Sequence, residues 1–401
     1  MDAVASRLGL DPLTVRRRNL IAKAEMPFGR PLSALGTELT YDSGDYALLL
    51  DKALARIGWE ALQAELKHRR AAGELVGAGV GMFVDKGGLG PADGTRVSVD
   101  TTGAVELVTG GSNAGQGFAT AMAQICADTL GVDYRRVRVV YGQTDRIAYG
   151  IGAHASRASV MTGGATHAAA LKLRAKALEM AAALLQAAPD QLDIVDGVVV
   201  HRDRPGGPSI TLGEIARHLA PDSPTLGDRE PGLNAEGWFR TSHMTYPYGV
   251  QIAVVRVDGD TGQVAVERYL VAYDIGRAIN PMLVEGQLVG GVVQGPGGAL
   301  YEEFRYDERG EPLCVTFADY RMPTAMEIPP IDVLVTEDAP SPLNPLGIKS
   351  AGEGGITPVG AVIAAAIDDA IGVPGGVTRL PATPQRVKAL LRAAARDRAA
   401  A

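Results

Sequence analysis

Apolar residues along the chain follow two rhythms, one of period two and one near 3.6. The period-two rhythm is clearest in two places. From Thr95 to Thr109, Val97, Val99, Val105 and Leu107 alternate with polar neighbours around Asp100-Thr101-Thr102-Gly103, which predicts a β-hairpin. From Val250 to Tyr273 the pattern recurs around Gly259-Asp260-Thr261-Gly262. Each hairpin runs into a loop and then a helix. After the first come Gly110–Gly117 and a helix to about Leu130; after the second come Asp274–Pro281 and a glycine-rich helix. This shared scheme reads as an internal repeat. It predicts an α+β fold of two similar subdomains, each a mixed or antiparallel sheet with packed helices, sharing a ligand between them.

Helical spacing predicts further helices over Asp2–Leu8, Asp45–Arg56, Trp59–Ala72 and the alanine-rich Gly163–Ala188. Asp11-Pro12 opens a helix to Asn19, with Asp as N-cap and Pro at the first helical position. Thr357-Pro358 and Thr383-Pro384 read as caps of the last two helices, the first reaching Ile371. Single strands are expected at Gly79–Val84, Val137–Tyr141 and Ile331–Thr336. Met26–Tyr41 reads as a polar stretch. Arg202–Asn234, rich in Pro, Gly and Asp, reads as a linker with a short helix at Leu212–Leu219. The boundaries that follow are 1–75 for a helical segment continuing an architecture begun elsewhere, 76–235 for the first subdomain and 236–401 for the second.

Composition narrows the function classes. A length of 401 residues suits about two to three domains. The net charge of -7, with Arg16-Arg17-Arg18 as the dense basic run, gives no face for nucleic acid. Two cysteines, Cys126 and Cys314, cannot supply the four thiolates of an iron–sulfur cluster, and no metal ligand is assigned to the chain. They fit a reducing, cytoplasmic compartment. No apolar run approaches the roughly 20 residues that span a bilayer, and the first residues lack the apolar core of a secretory signal. The 50 glycines, scattered rather than periodic, imply tight turns and close backbone approaches.

Four segments carry candidate chemistry, each with a plain structural alternative. Gly110–Thr120 could present backbone N–H groups to a phosphate at a helix start, with Gln116 adding an amide; read alone it is better taken as a tight structural turn. Gly150–Thr162 sets His154, Ser156, Ser159 and Thr162 around Arg157, which could fork onto phosphate oxygens, or its serines could simply cap a helix. Gly286–Tyr301 holds six glycines and Gln294, so something packs very close to it, and a neighbouring helix would suffice. Pro296 should kink or end that helix. In Lys349–Gly355, Glu353 lies between glycines ahead of a helix start, where it could be a general base or a solvated acid.

Taken together, these segments resemble the large subunit of the xanthine dehydrogenase, aldehyde oxidase and carbon monoxide dehydrogenase type of molybdenum hydroxylase, C-terminal part. Gly115-Gln116-Gly117, Ser156–Ser159, Asp274–Pro281 with Glu285-Gly286-Gln287, Gly290–Gly295 and Gly352-Glu353-Gly354 occur in that family's order, and Asn344–Lys349 fits the run before the glutamate. The resemblance implies a molybdopterin cofactor, in its cytosine dinucleotide form, held by Gly115, Gln116, Gly117, Ser156, Arg157, Ser159 and Gly352. It implies Gln294 beside the molybdenum and Glu353 as the catalytic base. It implies hydroxylation of a heteroaromatic, aldehyde or related carbon with water as the oxygen source. Electrons would leave through [2Fe-2S] and usually FAD on partner subunits of a multi-subunit complex. Departures are also plain: Ile275 stands where many relatives have Cys, and Pro296 replaces an aliphatic residue. No Phe-Gly-Gly-Lys-like or Arg-x-x-Gly-x-Pro-Gln-like loop is present, so another polypeptide is expected to supply the N-terminal half of the site. The alternative is a non-catalytic scaffold or truncated subunit that binds partner chains. A third reading, a stand-alone hydrolase using Glu353, lacks a nucleophile or metal partner.

Overall fold

The computed structural model describes residues 1–204 and 206–400, the last four of these by backbone alone. Eight strands build two sheets: β1 (Leu75–Val84), β2 (Ala92–Val99), β3 (Val105–Thr109), β4 (Val137–Val140), β5 (Leu233–Arg240), β6 (Tyr248–Val257), β7 (Val264–Asp274) and β8 (Ile331–Thr336). Four helices pack with them: α1 (Phe118–Leu130), α2 (Gly163–Leu185), α3 (Pro281–Pro296) and α4 (Val359–Ile371). The first sheet has the order β5-β2-β3-β4 and the second β8-β7-β6-β1. Each is a hairpin, β2–β3 or β6–β7, with an antiparallel outer strand on one side and a parallel strand on the other. A parallel neighbour requires a crossover, and α1 and α3 supply it. The repeat read from the hydrophobic rhythm is therefore a repeat of topology, and the fold is α+β.

The outer strands show how the helices seat. Gly77 and Gly79 share one face of β1. A Cβ added at Gly77 would lie 2.3 Å from the Ala370 nitrogen, and one at Gly79 would lie 2.1 Å from the Val362 carbonyl oxygen. Helix α4 thus rests on bare backbone. In the first sheet, a Cβ at Gly237 of β5 would lie 2.2 Å from the Ala169 nitrogen of α2. The pairing of glycine strand with alanine helix is the same in both halves, and any side chain there would push the helix off the sheet.

Strand β1 differs from the sequence reading. It lies at the head of the 76–235 segment but pairs with β6 along its whole length, from Leu75↔Val257 to Val84↔Tyr248. The physical reason is that both its faces are needed in the second sheet. Its glycine face meets α4. Its other face sends Val80 into a core with Leu49, Leu50 and Tyr248, and Val76 into one with Leu62, Leu66 and Val254. The helices Tyr46–Ile57 and Trp59–Ala71 therefore cover the second sheet.

Other expectations also shift. Met26–Tyr41 contains a two-stranded hairpin, Phe28–Ala34 with Thr37–Tyr41, and Leu192–Val195 pairs with Val198–His201. Thr357 does not cap α4; its hydroxyl donates to the Glu353 carbonyl at 2.8 Å. Asp11 does cap its helix, accepting from the Thr14 N–H at 2.7 Å. Helix α3 ends at Pro296 and continues as one wider turn, Gly297–Tyr301. Among the described residues no helix is long and apolar enough to cross a membrane.

Candidate functional site

Two loops, one leading to each sheet-packing helix, meet at a cleft. The first runs from about residue 150 to the start of α2. Its anchor is Arg157, which is wholly buried and paired with an equally buried Asp93 at 3.1 Å. The guanidinium also donates to the carbonyls of Leu89, Gly152 and Ala92 at 2.9–3.1 Å. Four of its five N–H groups are thus taken by protein. Arg157 borders the cleft, but its guanidinium is spent on protein acceptors and holds the loop rather than standing free to fork onto a phosphate. Thr162 shares the same acid, donating to Asp93 at 2.6 Å. So constrained, the loop keeps Ala155 and Ser156 in the left-handed region, with φ of 46° and 47°. Non-glycine residues adopt that conformation at a cost of about 1–3 kcal/mol, and it persists where the surroundings over-determine it.

The second loop precedes α4. Its anchor is Lys349, fully buried, with Nζ donating to the Ser43 carbonyl at 3.0 Å and lying 5.0 Å from the centroid of the Tyr248 ring. Burial pushes this ammonium below the usual lysine range, while Asp42 and Asp274 pull it back. Beyond it, backbone groups are tied down in turn. The Tyr273 hydroxyl donates to the Ser350 carbonyl at 2.8 Å, and Gln251 donates to the carbonyls of Gly354 and Gly355 at 3.0 and 2.9 Å. Gly354 faces the Tyr273 ring, where a Cβ would come within 2.3 Å. Glu353 is therefore flanked by backbone that is tied down on both sides.

The two loops touch through one bond: the Ser156 hydroxyl donates to the Glu353 carboxylate at 2.7 Å. Around this pair is a cleft of about 640 Å³, whose walls include Gly115, Gln116, His154, Ser159, Gly352 and, from the α3 side, Arg277, Asn280 and Gln287. Of the residues expected at the site, Gly115, Gln116, Ser156, Arg157, Ser159, Gly352 and Glu353 are brought together. Gly117 is not in the wall; it starts α1 with φ of 76°, and a Cβ there would strike Leu283. Gln294 is exposed on α3, outside this cleft.

Residues that the sequence did not single out also belong here. Arg277 is exposed at the cleft edge and has no ion-pair partner among the described residues. Asp85, just past β1, is pushed up to about 6 by burial, with a further contribution from Glu353. One of its oxygens accepts from the Lys86 N–H at 2.8 Å, while the other is buried without a partner, as is the Ser350 hydroxyl. Nothing in the local sequence marks Asp85, because its environment comes from residues far along the chain.

The donor set suits a phosphorylated ligand. Gly115, at φ of 95° with open space where a Cβ would be, exposes its backbone. Ser156 and Ser159 offer hydroxyls, Arg277 offers a cation, and the Ser350 hydroxyl in the cleft wall lacks a partner. Among the described residues no cluster of His, Cys, Asp or Glu could hold a metal ion directly.

Comparison with known proteins shows the family. A family model described as the molybdopterin cofactor-binding domain matches residues 52–329. The gamma subunit of the 6-hydroxypseudooxynicotine dehydrogenase complex of Paenarthrobacter nicotinovorans is 40% identical over 96% of this chain and 48% of its own length. CO dehydrogenase from Oligotropha carboxidovorans superposes with a TM-score of 0.89 at 31% identity, over 98% of this chain and 50% of that one. Quinoline 2-oxidoreductase from Pseudomonas putida 86 gives 0.87 at 32% identity, over 97% and 50%. The chain thus spans about half the length of the relatives it matches. It belongs to the molybdopterin cofactor-binding family and corresponds to part of the large subunit of a molybdenum hydroxylase.

Proposed function

We propose that the cleft between the two anchored loops is one wall of a molybdenum hydroxylase active site, with Glu353 as its general base. The observation that carries this is the meeting of Glu353 with Ser156 across 197 positions of sequence, beside exposed glycine backbone. A molybdopterin cofactor, in the cytosine dinucleotide form, would supply the two-electron redox chemistry when bound. Gly115, Gln116, Ser156, Ser159 and Gly352 would hold its pterin and pyrophosphate, with Arg277 balancing phosphate charge. Arg157 would act one step back, by fixing the loop that carries Ser156. Gln294 would face the metal side only once another polypeptide closes the site over α3.

The chemistry asked of Glu353 is removal of a proton from the oxygen, derived from water, that is delivered to an electrophilic carbon. Its carboxylate accepts from Ser156, which orients it, and its carbonyl accepts from Thr357, which fixes its main chain. Asp85 adds a second acid within electrostatic reach. The substrate class is a heteroaromatic, aldehyde or related carbon; the 40% identical relative named for a hydroxylated nicotine derivative favours the heteroaromatic branch. Electrons would pass to partner subunits carrying [2Fe-2S] and FAD, in the cytoplasm. In the assembled enzyme, Glu353→Gln should keep its molybdenum, measured by metal analysis, and lose nearly all turnover. Unchanged turnover would remove Glu353 from the mechanism.

A further inference from the structure

Beyond Val84 the pairing of β1 continues in register. Gly87 stands opposite Thr245, and the Asp85 N–H donates to the Pro247 carbonyl at 2.9 Å. Side chains alternate along such a strand, so Gly77, Gly79, Gly81, Phe83, Asp85 and Gly87 share one face. The residues flanking Asp85 fix where that face leads. A Cβ at Gly81 would lie 2.4 Å from the Val362 side chain of α4, and Phe83 stacks on Tyr273 with ring centroids 5.9 Å apart. A Cβ at Gly87 would lie 1.9 Å from the Ser350 Oγ. Asp85 is the single charge of this row. It stands between the residue stacked on Tyr273 and the one against Ser350, beneath the loop that carries Glu353.

Two atoms there are unused by the scaffold. One Asp85 oxygen and the Ser350 Oγ are buried without a hydrogen-bond partner among the described residues. Buried polar atoms in folded proteins nearly always have one. Ser350 is 2% exposed and borders the same cleft as Glu353. A hydroxyl both donates and accepts, so it can pass a proton on. The titratable groups facing Asp85 are Glu353 from the loop before α4, Lys86 beside it in the chain and Tyr273 from β7. Burial and the Glu353 charge raise the Asp85 carboxyl to about 6 against the opposing pull of Lys86. Asp85 therefore gains and loses its proton near neutral pH.

We propose that Asp85, reached through the Ser350 hydroxyl, takes the proton that Glu353 collects in turnover and so regenerates the base. The O–H bond on Glu353 breaks and leaves the carboxylate. The Ser350 Oγ accepts that proton while its own passes to the buried Asp85 oxygen. Asp85 as a residue is only partly buried, and its proton then leaves to water. No electron changes hands, and the pair ends each cycle with the charge it began with. Asp85 acts through Glu353 and touches no substrate. Its role rests on the reading of Glu353 as base; its seat beneath the loop does not.

The first test uses the free 401-residue chain. Carboxyl NMR with labelled aspartate should show an Asp85 midpoint near 6 that falls by about half a unit or more in Glu353→Gln. In the assembled enzyme, Asp85→Asn and Ser350→Ala should each keep molybdenum and KM and lower kcat by about 100-fold. The parent kcat should decline as pH falls through about 6, where Asp85 fills with its own proton, and that limb should be missing from the Asp85→Asn profile. Ser350→Ala should melt with the parent, because its hydroxyl has no partner to lose. A midpoint indifferent to Glu353→Gln, full kcat in both variants, or loss of molybdenum from Asp85→Asn would each overturn the proposal. Full turnover in Glu353→Gln with the NMR coupling intact would instead remove the base, and the functional reading with it.

Discussion

The loops before α2 and α4 hold equivalent places in the two halves, and each is pinned by a buried cation, yet the cations are held differently. Arg157 has a buried acid and three carbonyls within reach. Lys349 has one carbonyl, an aromatic face and two acids that act at longer range. A planar guanidinium can satisfy many acceptors from one position, whereas a lysine spends a single compact charge. The first loop can therefore be forced into left-handed backbone at Ala155 and Ser156, while the second relies on Gly347 at φ of 68° and on hydrogen bonds from Gln251. The rigid loop presents a hydroxyl, and the loop pinned through its backbone presents the acid.

Substitutions can break or sharpen that contrast. Arg157→Met should be the most damaging, at about 3–5 kcal/mol, because it leaves Asp93 charged and unpaired in the interior. Chemical denaturation measures this, and a loss under about 1 kcal/mol would refute the anchoring role. Lys349→Met should cost less, about 1–3 kcal/mol near neutral pH. Burial raises the Asp274 carboxyl and Lys349 opposes that shift. Without the lysine, Asp274 is harder still to ionise, so the deficit should shrink as pH falls and the acid takes up its proton. A loss equal to that of Arg157→Met would erase the distinction between the two anchors.

Asp85 tests the space between the loops. Its carboxyl rises from 3.8 to about 6 on folding. The folded chain therefore holds the proton more tightly than the unfolded one. Stability falls as pH climbs from about 4 to about 6, by roughly 3 kcal/mol at most. Asp85→Asn should flatten that slope, leaving the variant more stable than the parent by about 1–2 kcal/mol at pH 7.5 and similar to it near pH 4. Thermal melts at the two pH values decide it, and an unchanged slope would place the carboxyl in water. Ser156→Ala should have the smallest effect, under about 1 kcal/mol on stability, since its bond to Glu353 is exposed. In the assembled enzyme it should still lower turnover without loss of molybdenum.

Much of the scaffold was legible from local pattern. The two hairpins obey the alternation that foretold them, down to Val97 facing Leu107 and the turn at Asp258–Gln263. Glu353 stood out because glycines flank it. What local pattern could not convey was direction and distance. Arg157 carries the same side chain whether it faces ligand or core, and only Asp93, 64 positions away, decides which. The glycines of β1 advertise close packing but not that α4 is the neighbour, nearly 300 residues on. The first two residues of β5, Leu233 and Asn234, lay inside a stretch rich in turn formers and read as linker, and the rest of its half-exposed alternation went unassigned. Arg277 lay in a segment already noted, with no feature of its own to separate it from any surface arginine.

The placement of β1 has a consequence for handling the molecule. Of the two large sheets, the chain enters the second first, at β1, leaves to build the first, and returns to complete the second. A single protease cut near Gly207 would yield an N-terminal piece lacking β5 and a C-terminal piece lacking β1. Each would expose a long open sheet edge beside an alanine-lined helix that has lost its glycine strand. The halves are interlaced, so expression of either alone should yield aggregate, and co-expression of both should restore a nicked but compact particle.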